Sequence, residues 1–305
     1  MGSAVMFPGQ GTQFAHMGDV WRATEYWDVV LRAEEALGRP LAHLLLDAPA
    51  EVLSRTLEAQ LAVFLHSLMA WEAVRPQLAS PVAFAGHSLG QITALVAAGA
   101  LSLEDGIRLA AARAEATQEA ADSRPGRLAA LMGADLEVAE SACEAHPDVW
   151  VANDNAPGQV VVGGTAEGVE AASQRARELE VRRVIPLNVG GAFHTPLMAG
   201  ARSALEPILA ATRFTPTTAP VVSNVDAEPY SDPGEWPSQL ADQLVSPVRW
   251  RSSLLSLSRL GAESLVEVGP GNVLAGLARR TLPGVPVRGV AEPADVTVLA
   301  EAAVL

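Results

Sequence analysis

The sequence predicts an α/β protein: a large α/β body interrupted by a small inserted β-α-β-β-α-β unit. Three observations predict it. Short apolar runs alternate with longer helical patterns along most of the 305 residues, as in a parallel sheet covered by helices. From about Ser123 to Gly190 the order of patterns changes to strand, helix, strand, strand, helix, strand. And 49% hydrophobic against 18% charged residues describes a chain that buries a core rather than a disordered one.

Taken in order, Ala4–Phe7 is a buried strand closed by the turn Pro8-Gly9-Gln10-Gly11, and helical periodicity follows over Trp21–Leu37 and Glu58–Arg75. Pro81–Ala85 reads as a strand and Leu89–Ala98 as the helix after it. Leu103–Ala121 is a further helix, with Glu104 and Asp105 in its first turn, where the helix dipole favours acids. The inserted unit comprises strand Arg127–Met132, helix Leu136–Ala145, strands Val149–Ala152 and Gln159–Val162, helix Ala166–Leu179 and strand Arg183–Leu187. That order is the ferredoxin-like one. Residues 1–122 and 191–305 then form the large subdomain and 123–190 the small one. Beyond it come helix Pro196–Ala211, strand Pro220–Ser223, helices Gln239–Leu244 and Arg249–Leu260, and strand Ser264–Glu267, with a loosely held tail expected from Glu292.

Composition excludes several chemistries. The single cysteine, Cys143, excludes a disulfide framework and a Cys-rich zinc site and fits a reducing compartment. All 21 basic residues are arginine, which removes Schiff-base lysines and the P-loop lysine. A net charge of −14 disfavours nucleic-acid binding. The N-terminus lacks a signal-peptide pattern, Met6 breaks the myristoylation pattern, and the lightly charged stretch Pro76–Leu103 carries His87, Ser88 and Gln91. A cytoplasmic protein without membrane contact is therefore expected. No His, Cys or carboxylate cluster has metal-ligand spacing, so no metal is expected.

The strongest local signal is Gly86-His87-Ser88-Leu89-Gly90, between a predicted strand and a predicted helix. That is the context of a nucleophile elbow, which lifts a serine hydroxyl off the end of a sheet, as in an α/β-hydrolase-like body. The amide of Leu89, at the helix start, can face a developing oxyanion. Among six histidines, His43 and His66 fall in helical apolar patterns, His146 at a helix end, and His87 points away from its neighbour Ser88. His194 lies in the turn Gly191-Ala192-Phe193-His194 where the inserted unit rejoins the body, which suits either a general base or a helix cap. Phe7-Pro8-Gly9-Gln10-Gly11-Thr12-Gln13 and Gly269-Pro270-Gly271 fail the dinucleotide fingerprint. On their residues alone they are tight turns.

Together these motifs resemble the malonyl-CoA:acyl-carrier-protein acyltransferase family, which includes the acyltransferase domains of polyketide synthases. The resemblance spans Phe7 to about Arg280 and rests on motifs in a fixed order. They are Phe7–Gln13, Gly86–Gly90, Arg113, Asn155-Ala156-Pro157-Gly158-Gln159-Val160, Gly191–His194, Ser223-Asn224-Val225-Asp226, Gln243 to Trp250, and Glu267–Gly271. It implies that Ser88 carries the acyl group as an ester, that His194 is base and then acid, and that a backbone carbonyl at Gln243 orients the imidazole. It further implies an oxyanion hole from the amides of Gln10 and Leu89, and a malonate-binding Arg113 placed 25 residues after the serine. Phe193 before the histidine and Leu89 after the serine imply a preference for malonyl over methylmalonyl. Four positions depart from the family pattern: Gln91 stands for Glu, Ala114 and Thr117 for Gly and Met, and Leu128 for Met. Thr117 and Leu128 thereby become candidate walls of the acyl pocket.

The reaction implied is malonyl transfer from malonyl-CoA to the phosphopantetheine thiol of an acyl carrier protein, in fatty acid or polyketide biosynthesis. It needs no permanently bound cofactor, and the enzyme is expected to be a monomer. Carrier proteins of this kind are acidic, so Arg182–Arg183 and Arg279–Arg280 are candidates for a local basic patch. Two alternatives share parts of the signal. A trans-acting polyketide acyltransferase would use a different acyl donor. A serine hydrolase shares Gly-x-Ser-x-Gly but places its histidine near the C-terminus, whereas 111 residues follow His194 here.

Overall fold

The computed structural model describes residues 2–78 and 80–303. It is an α/β fold with two sheets. In chain order the strands are β1 (Ser3–Phe7), β2 (Ala83–Gly86), β3 (Arg127–Met132), β4 (Val149–Ala156), β5 (Gln159–Gly164), β6 (Arg183–Leu187), β7 (Val221–Val222), β8 (Pro229–Tyr230), β9 (Ser264–Val268) and β10 (Val287–Val290). The larger sheet runs β10-β9-β1-β2-β7-β8, parallel except for the antiparallel edge strand β8. The smaller sheet is antiparallel, in the order β4-β5-β3-β6.

Side-chain alternation explains both layers. Along β1, Val5 and Phe7 enter one core with helix Thr56–Val74, while Ala4 and Met6 enter the opposite core with Trp250, Leu254 and Leu277. A parallel strand buried on both faces reads as an unbroken apolar run, as this one does. Along β3, Ala129 and Leu131 pack under helices Leu136–Cys143 and Ala166–Glu178, while Leu128 and Ala130 face the other way with Ala152 and Val161. That second face looks across a cleft at the ends of β1 and β2. The two sheets are tied where Asp154 N–H donates to Val248 O and Val248 N–H to Ala152 O, both at 2.9 Å.

Two expectations are corrected. The helix expected over Trp21–Leu37 begins only at Asp28, after a 3-10 turn at Glu25–Trp27. Thr24 is extended, and its hydroxyl donates to Trp21 O at 2.7 Å, closing a local turn that competes with the helix. The tail expected from Glu292 is instead helix Pro293–Ala303. Leu299 is buried in the main core, and the Asp295 carboxylate accepts from Ala291 and Glu292 N–H at 2.8 and 3.0 Å. Among the described residues no helix is long and apolar enough to cross a membrane.

Candidate active site

Strand β2 ends at Gly86 and helix Gly90–Ala97 begins four residues on, so the chain must reverse within His87-Ser88-Leu89. Ser88 does so with φ of +54°, in the left-handed region that a non-glycine residue occupies at a cost of roughly 1–3 kcal/mol. The flanking glycines are set by contact: a Cβ at Gly86 would lie 1.9 Å from the Gly90 carbonyl, and one at Gly90 would lie 2.1 Å from Phe7 O. The loop after β1 therefore presses directly on the elbow. Among the described residues, neither Gln10 N–H nor Leu89 N–H has a hydrogen-bond acceptor, so both amides remain available to a bound carbonyl.

His194 reaches the serine from the junction behind the small sheet. Its Nε2 lies 2.7 Å from Ser88 Oγ, and its Nδ1 lies 2.8 Å from the backbone oxygen of Gln243. A carbonyl only accepts, so Nδ1 carries the proton and the Nε2 lone pair faces the serine hydroxyl. His194 is buried, and burial together with the nearby Arg113 guanidinium pushes its pKa down to about 3. The imidazole is thus a neutral acceptor. His87 is turned aside: its Nε2 lies 2.9 Å from Asn155 Oδ1, and its ring meets Trp250 edge-on at 5.4 Å.

Arg113 sits on the inner face of helix Leu103–Ser123, in register with Gly106, Ala110, Thr117 and Ala121. The helix starts where Ser102 Oγ accepts from Asp105 N–H at 3.0 Å. Arg113 Nη2 donates to Ser88 Oγ at 3.0 Å and to Gln243 Oε1 at 3.3 Å, while Nη1 donates to Gln60 Oε1 at 2.6 Å. Gln60 Nε2 donates in turn to Thr117 Oγ1 at 3.0 Å. Every partner is neutral, no carboxylate among the described residues pairs with this guanidinium, and Nε has no partner. Burial lowers its pKa to about 10, which leaves a full positive charge at neutral pH. A buried cation held only by amides and a hydroxyl is a receptor for an anion.

These groups open on one cleft of about 260 Å³ between the two sheets. Gln10, Ser88, Arg113, Thr117, Phe193 and His194 line it, with Leu128 and Ala130 on the opposite wall. Of the residues singled out in the sequence for catalysis or substrate contact, Gln243 and Leu89 do not line the cleft themselves: Gln243 bonds to His194, Arg113 and Ser88, which do, and Leu89 follows Ser88 in the elbow. Sequence reasoning missed Gln60 and Asn153, and it named Asn224 within a motif without assigning it a role. Gln60 was detectable as one of a few polar residues on the inside of a helix buried on nearly every face. Arg280 bonds across the cleft edge to Gln159 Oε1 at 2.7 Å and to Pro157 O, whereas Arg279 turns away to Val287 O. A Cβ on Gly158 would lie 3.5 Å from Arg280 Nη2 and 3.6 Å from Gly133 Cα, and one on Gly133 would lie 3.1 Å from Arg182 Cβ. Arg182 and Arg280 thus flank one turn, 98 residues apart in sequence.

Known proteins share this arrangement. The family described as "Acyl transferase domain" matches residues 5–300. The malonyl CoA-acyl carrier protein transacylase of Bacillus subtilis (strain 168) is 39% identical over 286 residues, covering 91% of this chain and 89% of its own. The crystal structure of an acyl-carrier-protein-S-malonyltransferase from Bartonella henselae superposes with a TM-score of 0.94 at 34% identity, covering 100% of both chains. A type II polyketide synthase malonyl-transacylase, solved in complex with its acyl-carrier protein, superposes at 0.94 with 32% identity, over 99% of this chain and 100% of that one. With the fold and nearly its whole length matched, this chain belongs to the acyl transferase family.

Proposed function

We propose that the chain is an [acyl-carrier-protein] S-malonyltransferase that works by ping-pong transfer through an ester on Ser88. The observation that carries the reading is the buried Arg113 guanidinium, 3.0 Å from Ser88 Oγ and without a carboxylate partner among the described residues. A malonyl thioester supplies what is missing. Its free carboxylate pairs with Arg113, and its carbonyl then lies over Ser88, one methylene away. Acetyl-CoA has nothing to offer the guanidinium, and leaving that group unpaired favours the diacid.

Ser88 Oγ attacks the thioester carbon and gives its proton to His194 Nε2. The oxyanion is held by Gln10 and Leu89 N–H. Collapse breaks the carbon–sulfur bond, and His194 returns the proton to the departing CoA sulfur. The carrier's phosphopantetheine thiol then yields its proton to His194 and attacks the ester, and Ser88 is restored. Malonate binding tunes this base: a carboxylate on Arg113 cancels part of the field that depresses His194, so the imidazole becomes more basic when substrate arrives. Phe193, Thr117 and Leu128 bound the space around C2.

We read residues 1–122 and 191–305 as an α/β-hydrolase-like subdomain and 123–190 as a ferredoxin-like one. In the latter's own numbering the strand order is 4-1-3-2, which supports the reading. The protein is taken to act as a cytoplasmic monomer. Its carrier, of fatty acid or polyketide biosynthesis, docks near Arg182, Arg183 and Arg280, where a local positive patch offsets the net charge of −14.

Intact-protein mass spectrometry after brief mixing with malonyl-, methylmalonyl- or acetyl-CoA tests the reading. A malonyl-sized adduct that disappears in Ser88→Ala is expected. Arg113→Ala should lose malonyl transfer and its preference over acetyl. An unchanged preference in that variant would sink the assignment of Arg113.

A further inference from the structure

We infer that Asn224 is a positioning residue, tying the nucleophile's backbone to the residue that orients its base; the inference rests on Ser88 and His194 acting as proposed above. Asn224 is fully buried, two residues beyond the end of β7, the strand that pairs with the elbow strand β2. Its side chain spans the elbow. Oδ1 accepts Ser88 N–H at 2.8 Å, and Nδ2 donates to Gly86 O at 2.8 Å. One carboxamide thus satisfies both backbone groups that the sharp turn leaves unpaired, and it holds Ser88 at its positive φ.

The same Oδ1 lies 3.0 Å from Gln243 Nε2. Gln243 Nε2 also lies 3.1 Å from Ser88 O, and the Gln243 backbone oxygen accepts from His194 Nδ1. Asn224 backbone N–H bonds Gln91 Oε1 at 3.2 Å, and Gln91 Oε1 meets Gln243 Nε2 at 2.6 Å. The path from nucleophile to base therefore closes directly through Ser88 Oγ and His194, and again behind them through Gln243, which is reached from Ser88 O and, by way of Asn224, from Ser88 N–H. The second path fixes how far apart the first pair can sit. Gln243 Nε2 also reaches Ser88 O directly, and Asn224 adds to that contact the hold on the Ser88 amide and on Gly86 O. An aspartate would accept both bonds but could not donate to Gly86 O while ionised, and an aliphatic residue would leave Ser88 N–H and Gly86 O unpaired in the core.

A double-mutant cycle on the full chain tests this. Self-acylation by malonyl-CoA is timed by intact mass in wild type, Asn224→Ala, His194→Ala and the pair. A positioning role predicts that Asn224→Ala lowers kcat by about 10²-fold, the scale of a 1 Å misplacement, with KM within about threefold. In the His194→Ala background the same substitution should cost less than about threefold, because there is no base left to misalign. Equal losses in both backgrounds, or a loss confined to KM, would overturn the inference. Asn224→Asp, which keeps the size and both acceptor contacts, enters the same cycle if the alanine variant does not fold. Acylation that persists in Ser88→Ala would instead overturn the assignment of the nucleophile itself.

Discussion

At the scale of single residues, the choice that sets this site's chemistry is amide over carboxylate. Gln60 Oε1 stands 2.6 Å from Arg113 Nη1, where a glutamate would complete an internal ion pair. Gln60→Glu is therefore expected to fill the anion site from within. Charge-assisted bonds of this kind are worth about 1.5–3 kcal/mol, so malonyl kcat/KM should fall by about 10- to 10²-fold. Acetyl-CoA, which does not use the guanidinium, should be affected far less. Competitive acylation with mixed thioesters reads the ratio directly; an unchanged ratio would show that Gln60 does not govern Arg113. The same charge acts on His194, whose pKa is held down to about 3. A base with a depressed pKa stays deprotonated until the pH falls through that value, so the acidic limb for acylation of the free enzyme should lie well below the 6.5 of a free imidazole. Arg113→Ala removes the largest of the depressing influences after burial and should move that limb upward, in a pH profile of kcat/KM taken with acetyl-CoA. Ser88 and His194 were legible because a turn motif and a histidine at a junction are local patterns. Arg113 came from the family resemblance alone, since by its residues it is one of several arginines in its helix. Asn224 stood in a quoted motif, but its role was not legible, because its partners Gly86 and Ser88 stand 138 and 136 residues away.

Elements were legible in proportion to how much of their stabilisation is local. Strands β3 and β6 were readable to the residue, since each is a short apolar run opened by an arginine. Strands β8 and β10 were not found, for they are short and partly exposed edges with too few apolar residues to mark them. Helix Val273–Thr281 was missed for a different reason. Its first turn is capped not by a preceding Ser or Asp but by Glu267, in β9, whose carboxylate oxygens accept from Leu274 and Ala275 N–H at 3.0 and 2.7 Å across the Gly-Pro-Gly turn. Val273, Leu274 and Leu277 from that helix line the cleft, so the cap supports one of its walls. Glu267 is fully buried, and Glu267→Gln keeps its shape while losing one acceptor. It should cost about 1–3 kcal/mol of stability, seen as a lower urea midpoint with an unchanged m-value. Acylation should slow as Val273 and Leu277 shift; a wild-type midpoint would mean that the helix holds its start without the carboxylate.

The whole molecule assembles one site from Gln60, Ser88, Arg113, His194 and Gln243, and it keeps its buried histidines neutral. His66 is held down to about 4 and His194 to about 3, and His87 is also lowered, all chiefly by burial. The unfolded chain takes up protons on these side chains near pH 6.5, whereas the native state does not until far lower. The unfolded state therefore binds more protons between those limits, and native stability is lost as the pH falls through that window. The slope approaches about 1.4 kcal/mol per pH unit for each histidine. Glu267 and Asp154 oppose this. Burial raises both carboxyl groups, so their native forms bind protons before the unfolded ones do and favour the fold as pH falls through the window just above the carboxylate range. The histidines should govern at pH 5.5–6.5, above that opposing window. His66 provides the control, because it lies away from the cleft and accepts from Trp21 Nε1 at 3.2 Å, a bond that a glutamine can keep. In urea titrations at pH 7.5, 6.5, 6.0 and 5.5, wild type should lose stability steadily below 6.5. His66→Gln should lose it more gently, with a slope shallower by up to about 1.4 kcal/mol per pH unit. Parallel slopes in the two proteins would show that His66 takes up its proton equally in the folded and unfolded chain.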